Sequence, residues 1–286
     1  MRFIHKYPIV SFFILALILG TSIIFLVFQG IIPAELALSS VLSVPISGII
    51  ITAILDGIAG AKKLLKPVLV WRVGVGYWIF AVLFIVPVIL IGSLFNPVFN
   101  GESVTISDLK LELSILPVFI IFFIVAGLGQ ELGWTGFLLP RLQTRFSALF
   151  SSLIRATLII LWHIPLLMFT RFQPYAIREF PYGEWIIQKG FLITFLAMTM
   201  LSFPWSILFT WLFNNSKGSL LLVAIFHGSE IWLAYLISGM GINPKNLDNL
   251  WGYGIVLLLS VITITIVTGP ENLSGKYKRI TNEELK

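Results

Sequence analysis

Long apolar stretches, separated by short polar segments, run along the whole chain. A helix that crosses the hydrocarbon core of a bilayer, about 30 Å thick, needs roughly 20 mostly apolar residues. Eight stretches approach that length, approximately Pro8–Ile32, Ala37–Ile54, Tyr77–Phe95, Ile115–Leu139, Leu153–Arg171, Phe191–Phe213, Leu220–Met240 and Trp251–Thr268. The pattern predicts an all-α, polytopic membrane protein with about eight transmembrane helices and no soluble domain.

The composition supports lipid as the main solvent. Of the 286 residues, 58% are hydrophobic and 11% are charged, with a mean hydropathy of +0.99, whereas soluble domains carry about 25% charged residues. The chain has no cysteine, which excludes disulfides, thiolate metal ligands and a cysteine nucleophile. The first apolar run is longer than the core of a signal peptide, so we expect it to remain as a membrane helix.

Basic residues are unevenly divided between the two sides that eight spans would create. One side, which holds both termini, receives 13 lysines and arginines and the other receives 5, while Arg155 falls inside a span. Positive charge favours the cytoplasmic side, so we expect both termini in the cytoplasm and the protein in the cell membrane. The basic residues are spread over short loops, which favours contact with lipid head groups over nucleic-acid binding.

The segment between the fourth and fifth stretches mixes polar and apolar residues from Arg141 to Ser152. We expect an amphipathic helix there, lying in the cytoplasmic interface. Arg155, two residues into the fifth stretch, is then expected to extend back to the head groups.

Four ionisable residues lie at membrane depth: Glu131, His163, His227 and Glu230. At a rise of 1.5 Å per residue, the first three lie about 11 to 15 Å from the same membrane face, each on a different helix. Ionisable residues inside a membrane are costly and usually functional. Glu230 is three residues beyond His227, so both lie on one helical face. His5, in the tail, is not expected to take part.

Three kinds of chemistry remain open for these residues. Glu131 can act as a general base or an electrostatic partner in hydrolysis, with the histidines orienting water and stabilising an oxyanion. Alternatively, Glu131, His163 and His227 form an open zinc site. The chain lacks the His-Glu-x-x-His and Gly-x-Ser-x-Gly motifs of other hydrolases. Proton-coupled transport also uses such residues, but no inverted repeat is visible.

Three motifs resemble those of the CPBP family of intramembrane proteases, which includes CAAX prenyl endopeptidases and Abi bacteriocin-processing and immunity proteins. The family's Glu-Glu-x-x-x-Arg motif is similar to the run that begins Gly129-Gln-Glu-Leu-Gly-Trp-Thr and continues Gly-Phe-Leu-Leu-Pro-Arg-Leu. Ile160-Leu-Trp-His resembles its second motif, and the His-x-x-x-Asn/Asp motif falls on the segment that starts at His227. The motifs occur in family order, over approximately residues 115–240.

The resemblance implies three parts of one membrane domain: residues 1–114 with three helices, 115–240 as the catalytic helical core, and 241–286 with the last helix and a basic tail. It implies a peptidase that cleaves a membrane-embedded or lipid-modified peptide, of CAAX type or a bacteriocin leader. The glutamate pair falls on Gln130 and Glu131, the water-orienting histidine on His163 and the oxyanion-side histidine on His227. Zinc and a metal-free, glutamate-activated water both fit the family pattern.

The chain departs from the family pattern at three positions. Gln130 replaces the first glutamate, Thr135 replaces the motif arginine, and Ile231 occupies the final Asn/Asp position. We therefore hypothesise that Glu131 is the base, with Gln130 and Glu230 in supporting roles. The same departures favour an alternative, a catalytically degenerate membrane scaffold or bacteriocin self-immunity protein. A proton-coupled transporter is the remote alternative.

Overall fold

The computed structural model describes residues 2–99, 123–172, 181–238 and 250–283, together with 117, 120 and 248. Every regular element in these ranges is helical, which confirms the all-α class. The helices, numbered in chain order, are α1 (Arg2–Lys6), α2 (Pro8–Phe28), α3 (Ser43–Leu65), α4 (Val75–Leu83), α5 (Ile85–Ser93), α6 (the π-helical Phe123–Gln130 and Leu132–Leu138, continued by the α-helical Leu139–Gln143), α7 (Ala148–Phe172), α8 (Pro181–Asn215), α9 (Leu220–Ser238) and α10 (Leu250–Thr268). Short 3-10 turns cover Ala34–Leu42, Lys66–Leu69 and Asn96–Phe99.

The number of membrane spans is confirmed only in part. Five of the described helices are long and apolar enough to cross a bilayer, or six if α4 and α5, bent by 43°, are counted as one span. The second span reaches further along the chain than Ile54, because α3 continues to Leu65 past a helix break at Gly57. The fourth and seventh expected spans lie partly outside the described residues.

The helices pack around two apolar clusters. One cluster joins α2, α3, α6 and α7, where Phe12 stacks on Phe137 with ring centroids 4.8 Å apart. The other joins α4, α5, α8, α9 and α10, with the rings of Trp205 and Phe209 around Phe226. Helix α6 lies mainly against the first cluster and α9 against the second, so the contact between α6 and α9 lies where the two clusters meet.

The C-terminal segment after α10 closes one end of the bundle. Its backbone accepts hydrogen bonds from the amides of Ala148 and Leu149 at the start of α7. The buried Asn214 side chain, at the end of α8, donates to Asn272 O at 2.9 Å and to Gln143 Oε1 at 2.8 Å. The ends of α6, α7 and α8 are therefore held together by this segment.

The prediction of an interfacial helix between the fourth and fifth spans is wrong. Helix α6 ends at Gln143, a short turn follows, and α7 begins at Ala148. Ser151 and Ser152 are buried in the first turns of α7, and the hydroxyl of Ser152 donates to Ala148 O at 2.8 Å. Ser151 and Ser152 contribute to the polar character of this segment, but both lie inside the bundle.

Candidate functional site

Glu131 is at the centre of the site, in the middle of α6. Its side chain is 1% exposed, and α6 has wide π-helical turns on both sides of it. Such turns occur often at functional sites. A buried carboxylate needs partners for its lone pairs, and Glu131 obtains them from side chains on three helices.

His227 of α9 is in direct contact with Glu131, with Nδ1 2.9 Å from Oε1. The contact depends on a close approach of the two backbones one turn earlier, at Gly127. A Cβ atom at Gly127 would collide with the carbonyl oxygen of Ala224 on α9. The structure therefore brings together two of the residues that the sequence placed at a common depth.

Arg155 of α7 is a second partner of Glu131, and its expected position at the head groups is wrong. Its side chain is 1% exposed, and Nη2 donates to both carboxylate oxygens, at 3.0 and 2.8 Å. Helix α7 begins five residues earlier than the apolar pattern predicts, so Arg155 lies about 10 Å along it rather than at its start. The apolar pattern does not reveal this site residue, because it places the start of the fifth span at Leu153.

Thr135 is the third partner, and its hydroxyl donates to Oε2 of Glu131 from one turn further along α6. The residue is fully buried. Thr135, which stands where the family motif has an arginine, thus contacts the Glu131 carboxylate as a neutral donor.

His163 lies on α7, two helical turns beyond Arg155. Its Nδ1 is 2.9 Å from the carbonyl oxygen of Ile159, and because that oxygen only accepts, Nδ1 carries a proton. The ring is close enough to His227 for the two to interact electrostatically. The edge of the Trp162 ring also meets it, at 4.9 Å between centroids.

The two residues expected in supporting roles differ in their surroundings. Glu230 lies one turn beyond His227 on α9, close enough to interact electrostatically with both His227 and Glu131. Gln130 is buried next to Glu131 in the chain. The side chain of Ile231 lies outside the described residues.

An open zinc site needs three protein ligands that converge on one point. In the part of the chain that the structure describes, no three side chains of His, Asp or Glu converge in this way. Both oxygens of Glu131 already accept hydrogen bonds from Arg155, Thr135 and His227. These residues do not fit a zinc ion in this arrangement.

The pair of Glu131 and His227 has the geometry of a carboxylate that orients an imidazole. The carboxylate only accepts, so Nδ1 of His227 carries a proton, and in the neutral form of the ring Nε2 has the lone pair. Phe209 covers the ring, with centroids 5.3 Å apart. This arrangement can take a proton from water at Nε2 while Glu131 stabilises the imidazolium that forms.

Comparisons with known proteins agree with the motif resemblance. Residues 112–233, which carry the whole site, match the family described as type II CAAX prenyl endopeptidase, Rce1-like. A relative named CAAX prenyl protease 2, from Methanococcus maripaludis, is 29% identical over 106 residues. That match covers 36% of this chain and 35% of the relative, so the two are alike over about a third of their lengths. The resemblance to CPBP proteases is confirmed for this part of the chain.

Proposed function

With residues 112–233 matched to the Rce1-like family of type II CAAX prenyl endopeptidases, we propose that this multi-pass membrane protein is an intramembrane endopeptidase. The observation that carries the proposal is the buried contact of Glu131 with His227, which joins two helices of the matched segment. A carboxylate paired with a histidine in a low-dielectric interior is suited to general-base catalysis.

The proposed reaction is hydrolysis of a peptide bond by one water molecule. Nε2 of His227 takes a proton from the water while the oxygen of the water attacks the scissile carbonyl carbon. The carbon–nitrogen bond then breaks, the leaving amine receives that proton, and the other product is a carboxylic acid. His163 has the water-orienting role that the motif resemblance implies.

This mechanism gives the proton-accepting role to His227 instead of Glu131. Both Glu131 oxygens already accept hydrogen bonds from the guanidinium of Arg155. An ion-paired carboxylate is a weak base because the cation stabilises its charged form. Glu131 instead fixes the tautomer of His227. Glu230 places a second carboxyl group near His227.

For the substrate we propose a membrane-embedded or lipid-modified peptide. The relative from Methanococcus maripaludis is named CAAX prenyl protease 2, and a site within an apolar helical bundle suits a substrate that carries a lipid. A bacteriocin leader peptide is the other substrate class that the motif resemblance favours.

The experiment is a cleavage assay with the purified protein in lipid nanodiscs. We expect wild type to cleave a farnesylated CAAX peptide faster than the same peptide without its prenyl group, with a leader peptide run in parallel. His227→Gln and His163→Gln should each lower kcat at least about 100-fold. His5→Gln replaces an exposed histidine in α1, near the N-terminal end of the chain, and this variant should cleave as wild type does. Normal turnover in both site variants would refute the mechanism.

A non-catalytic scaffold or self-immunity protein is the second candidate, and Gln130 is the residue that favours it. An amide at this buried position binds water but does not take its proton. The triple alanine variant of Glu131, His163 and His227 separates the candidates. A biological function retained by this variant, with no cleavage by wild type, would support the scaffold.

A further inference from the structure

We propose that Arg155 is the positioning residue of the site, a cation supplied from α7 that holds Glu131 against His227. This inference rests on the proposed function for its catalytic consequence, while its geometric part concerns the folded protein alone. It assigns a role to a residue outside all three motifs.

The guanidinium of Arg155 is fixed on several sides. Nη2 bridges the two Glu131 oxygens, and Nη1 donates to Ser206 Oγ of α8 at 3.0 Å. The Ser206 hydroxyl in turn donates to Ser152 O at 2.8 Å, so its lone pair faces Arg155. The cation also lies 5.1 Å from the ring centroid of Phe209, a favourable cation–π distance. Its location is therefore set by α7 and α8 together.

Arg155 and His227 share one acceptor, because both bond to Oε1 of Glu131. The carboxylate has charge-assisted contacts on one side and the imidazole on the other. Without the cation, the carboxylate keeps only Thr135 and His227 in its described surroundings, and burial favours its neutral form. A protonated or displaced Glu131 no longer fixes the His227 tautomer.

The contact of Thr135 with Glu131 also supports this role of Arg155. Thr135 lies one turn from Glu131 on the same helix and contacts the same carboxylate. Thr135 and Arg155 both donate to Oε2 of Glu131, so we expect a guanidinium placed at position 135 to reach the same oxygen once Arg155 is removed. The chain thus has a small neutral donor, Thr135, on α6 and a cation, Arg155, on α7. We expect that the cation can be moved from position 155 to position 135.

The test relocates the cation. Arg155→Met removes the charge and keeps an unbranched apolar chain, and Thr135→Arg is added to it to return a guanidinium from α6. In the nanodisc assay we expect Arg155→Met to lower kcat about 100-fold with KM changed less than about threefold. The double variant should regain at least about tenfold in kcat. Arg145→Met, at an exposed arginine, is the control for removal of a positive charge.

A spectroscopic readout tests the inference without cleavage. The chain has three histidines, and selective ¹⁵N-histidine labelling with His227→Gln as reference assigns the His227 ring. Arg155→Met should lose the wild-type Nδ1–H signal of His227, and the double variant should restore it. If Arg155→Met does not fold, Arg155→Lys, which keeps the charge but only one point of contact, should give an intermediate signal and rate.

The outcomes separate the two proposals. Wild-type turnover and an unchanged His227 signal in folded Arg155→Met overturn the role of Arg155 and leave the peptidase intact. No cleavage by wild type, with the His227 signal lost in Arg155→Met and regained in the double variant, overturns the peptidase and supports the positioning role. A double variant that restores neither signal nor rate overturns the exchange of positions.

Discussion

At Glu131, a single carboxylate accepts from Arg155, Thr135 and His227 at once. A carboxylate with this many donors is held in one orientation, and the orientation it fixes is that of the His227 ring. Arg155 offsets the cost of burying the negative charge, since a buried ion needs a partner to be tolerated. The site is a small charge network rather than an isolated acid.

Thr135→Val tests the neutral donor of this network. The substitution keeps the shape of the side chain and removes one hydrogen bond to a charged group, so the free energy of unfolding should fall by about 1.5 to 3 kcal/mol. We expect kcat to fall about tenfold, because Glu131 gains freedom next to His227. Thermal unfolding in detergent and the cleavage assay measure the two effects.

Thr170→Val is the matched control for Thr135→Val. Thr170 is equally buried, but its hydroxyl donates to the carbonyl of Leu166 in its own helix at 2.8 Å. It should leave kcat unchanged. Equal losses of kcat in the two valine variants would remove the argument for a specific Thr135–Glu131 contact.

At this scale the sequence predicts part of the site. The cost of an ionisable group in lipid singles out Glu131, His163 and His227, and helical rise places them at one depth. Arg155 is missed because arginine near a span end usually extends to the interface. Its distance from Glu131 depends on how α6 and α7 pack, which hydrophobic patterning does not specify.

Helices α6 and α9 form the site by an unusually close approach. Gly127 faces the backbone of Ala224. Gly228 faces Phe123, and a Cβ atom added at Gly228 would lie 3.1 Å from Cα of Phe123. Small residues allow helices in membranes to pack at short distances. The approach determines whether the 2.9 Å contact of Glu131 with His227 can form.

Gly127→Ala tests this approach. The added methyl group meets backbone rather than a flexible side chain, so the helices must separate, at a cost of about 1 to 3 kcal/mol. We expect lower kcat, because Glu131 and His227 move apart, and lower thermal stability. Gly129→Ala is the control: the nearest atom to its added Cβ is Ile124 O at 3.5 Å, so its stability should change by less than about 1 kcal/mol. A harmless Gly127→Ala would contradict the role of the close contact.

At the scale of the helix, type and order are predicted better than boundaries. Apolar length identifies α2, α7, α8 and α10 as spans. The start of α7 is misplaced because Ser151 and Ser152 look like interfacial residues, although they are buried inside the bundle. The hydroxyl of Ser152 donates to Ala148 O in its own helix, which makes it compatible with an apolar environment, and composition alone does not reveal this.

The whole molecule has two chemically different ends. At one end, the tail after α10 contacts the ends of α6 and α8, and Arg279 Nε donates to Gln143 O at 2.7 Å. At the other, Lys189 pairs with Asp248 at 2.8 Å. The sequence assigns 13 of the 19 lysines and arginines to the side on which both termini are expected, so we propose that the tail end faces the cytoplasm.

Single cysteines test this orientation, because the chain has no cysteine of its own. Lys276→Cys lies at the tail end and Lys189→Cys at the opposite end, and both positions are exposed. In intact cells a membrane-impermeant maleimide should label Lys189→Cys and should label Lys276→Cys only after the membrane is opened. The reverse pattern would overturn the proposed orientation.

The most direct test of the account is the turnover of Glu131→Gln on a prenylated CAAX peptide. Glutamine keeps the size of glutamate, but its amide can donate to Nδ1 of His227 and so leave the proton on Nε2. We predict a fall in kcat of about 100-fold or more, with folding and peptide affinity retained. Wild-type kcat in folded Glu131→Gln would contradict a mechanism in which Glu131 prepares His227 to accept a proton from water.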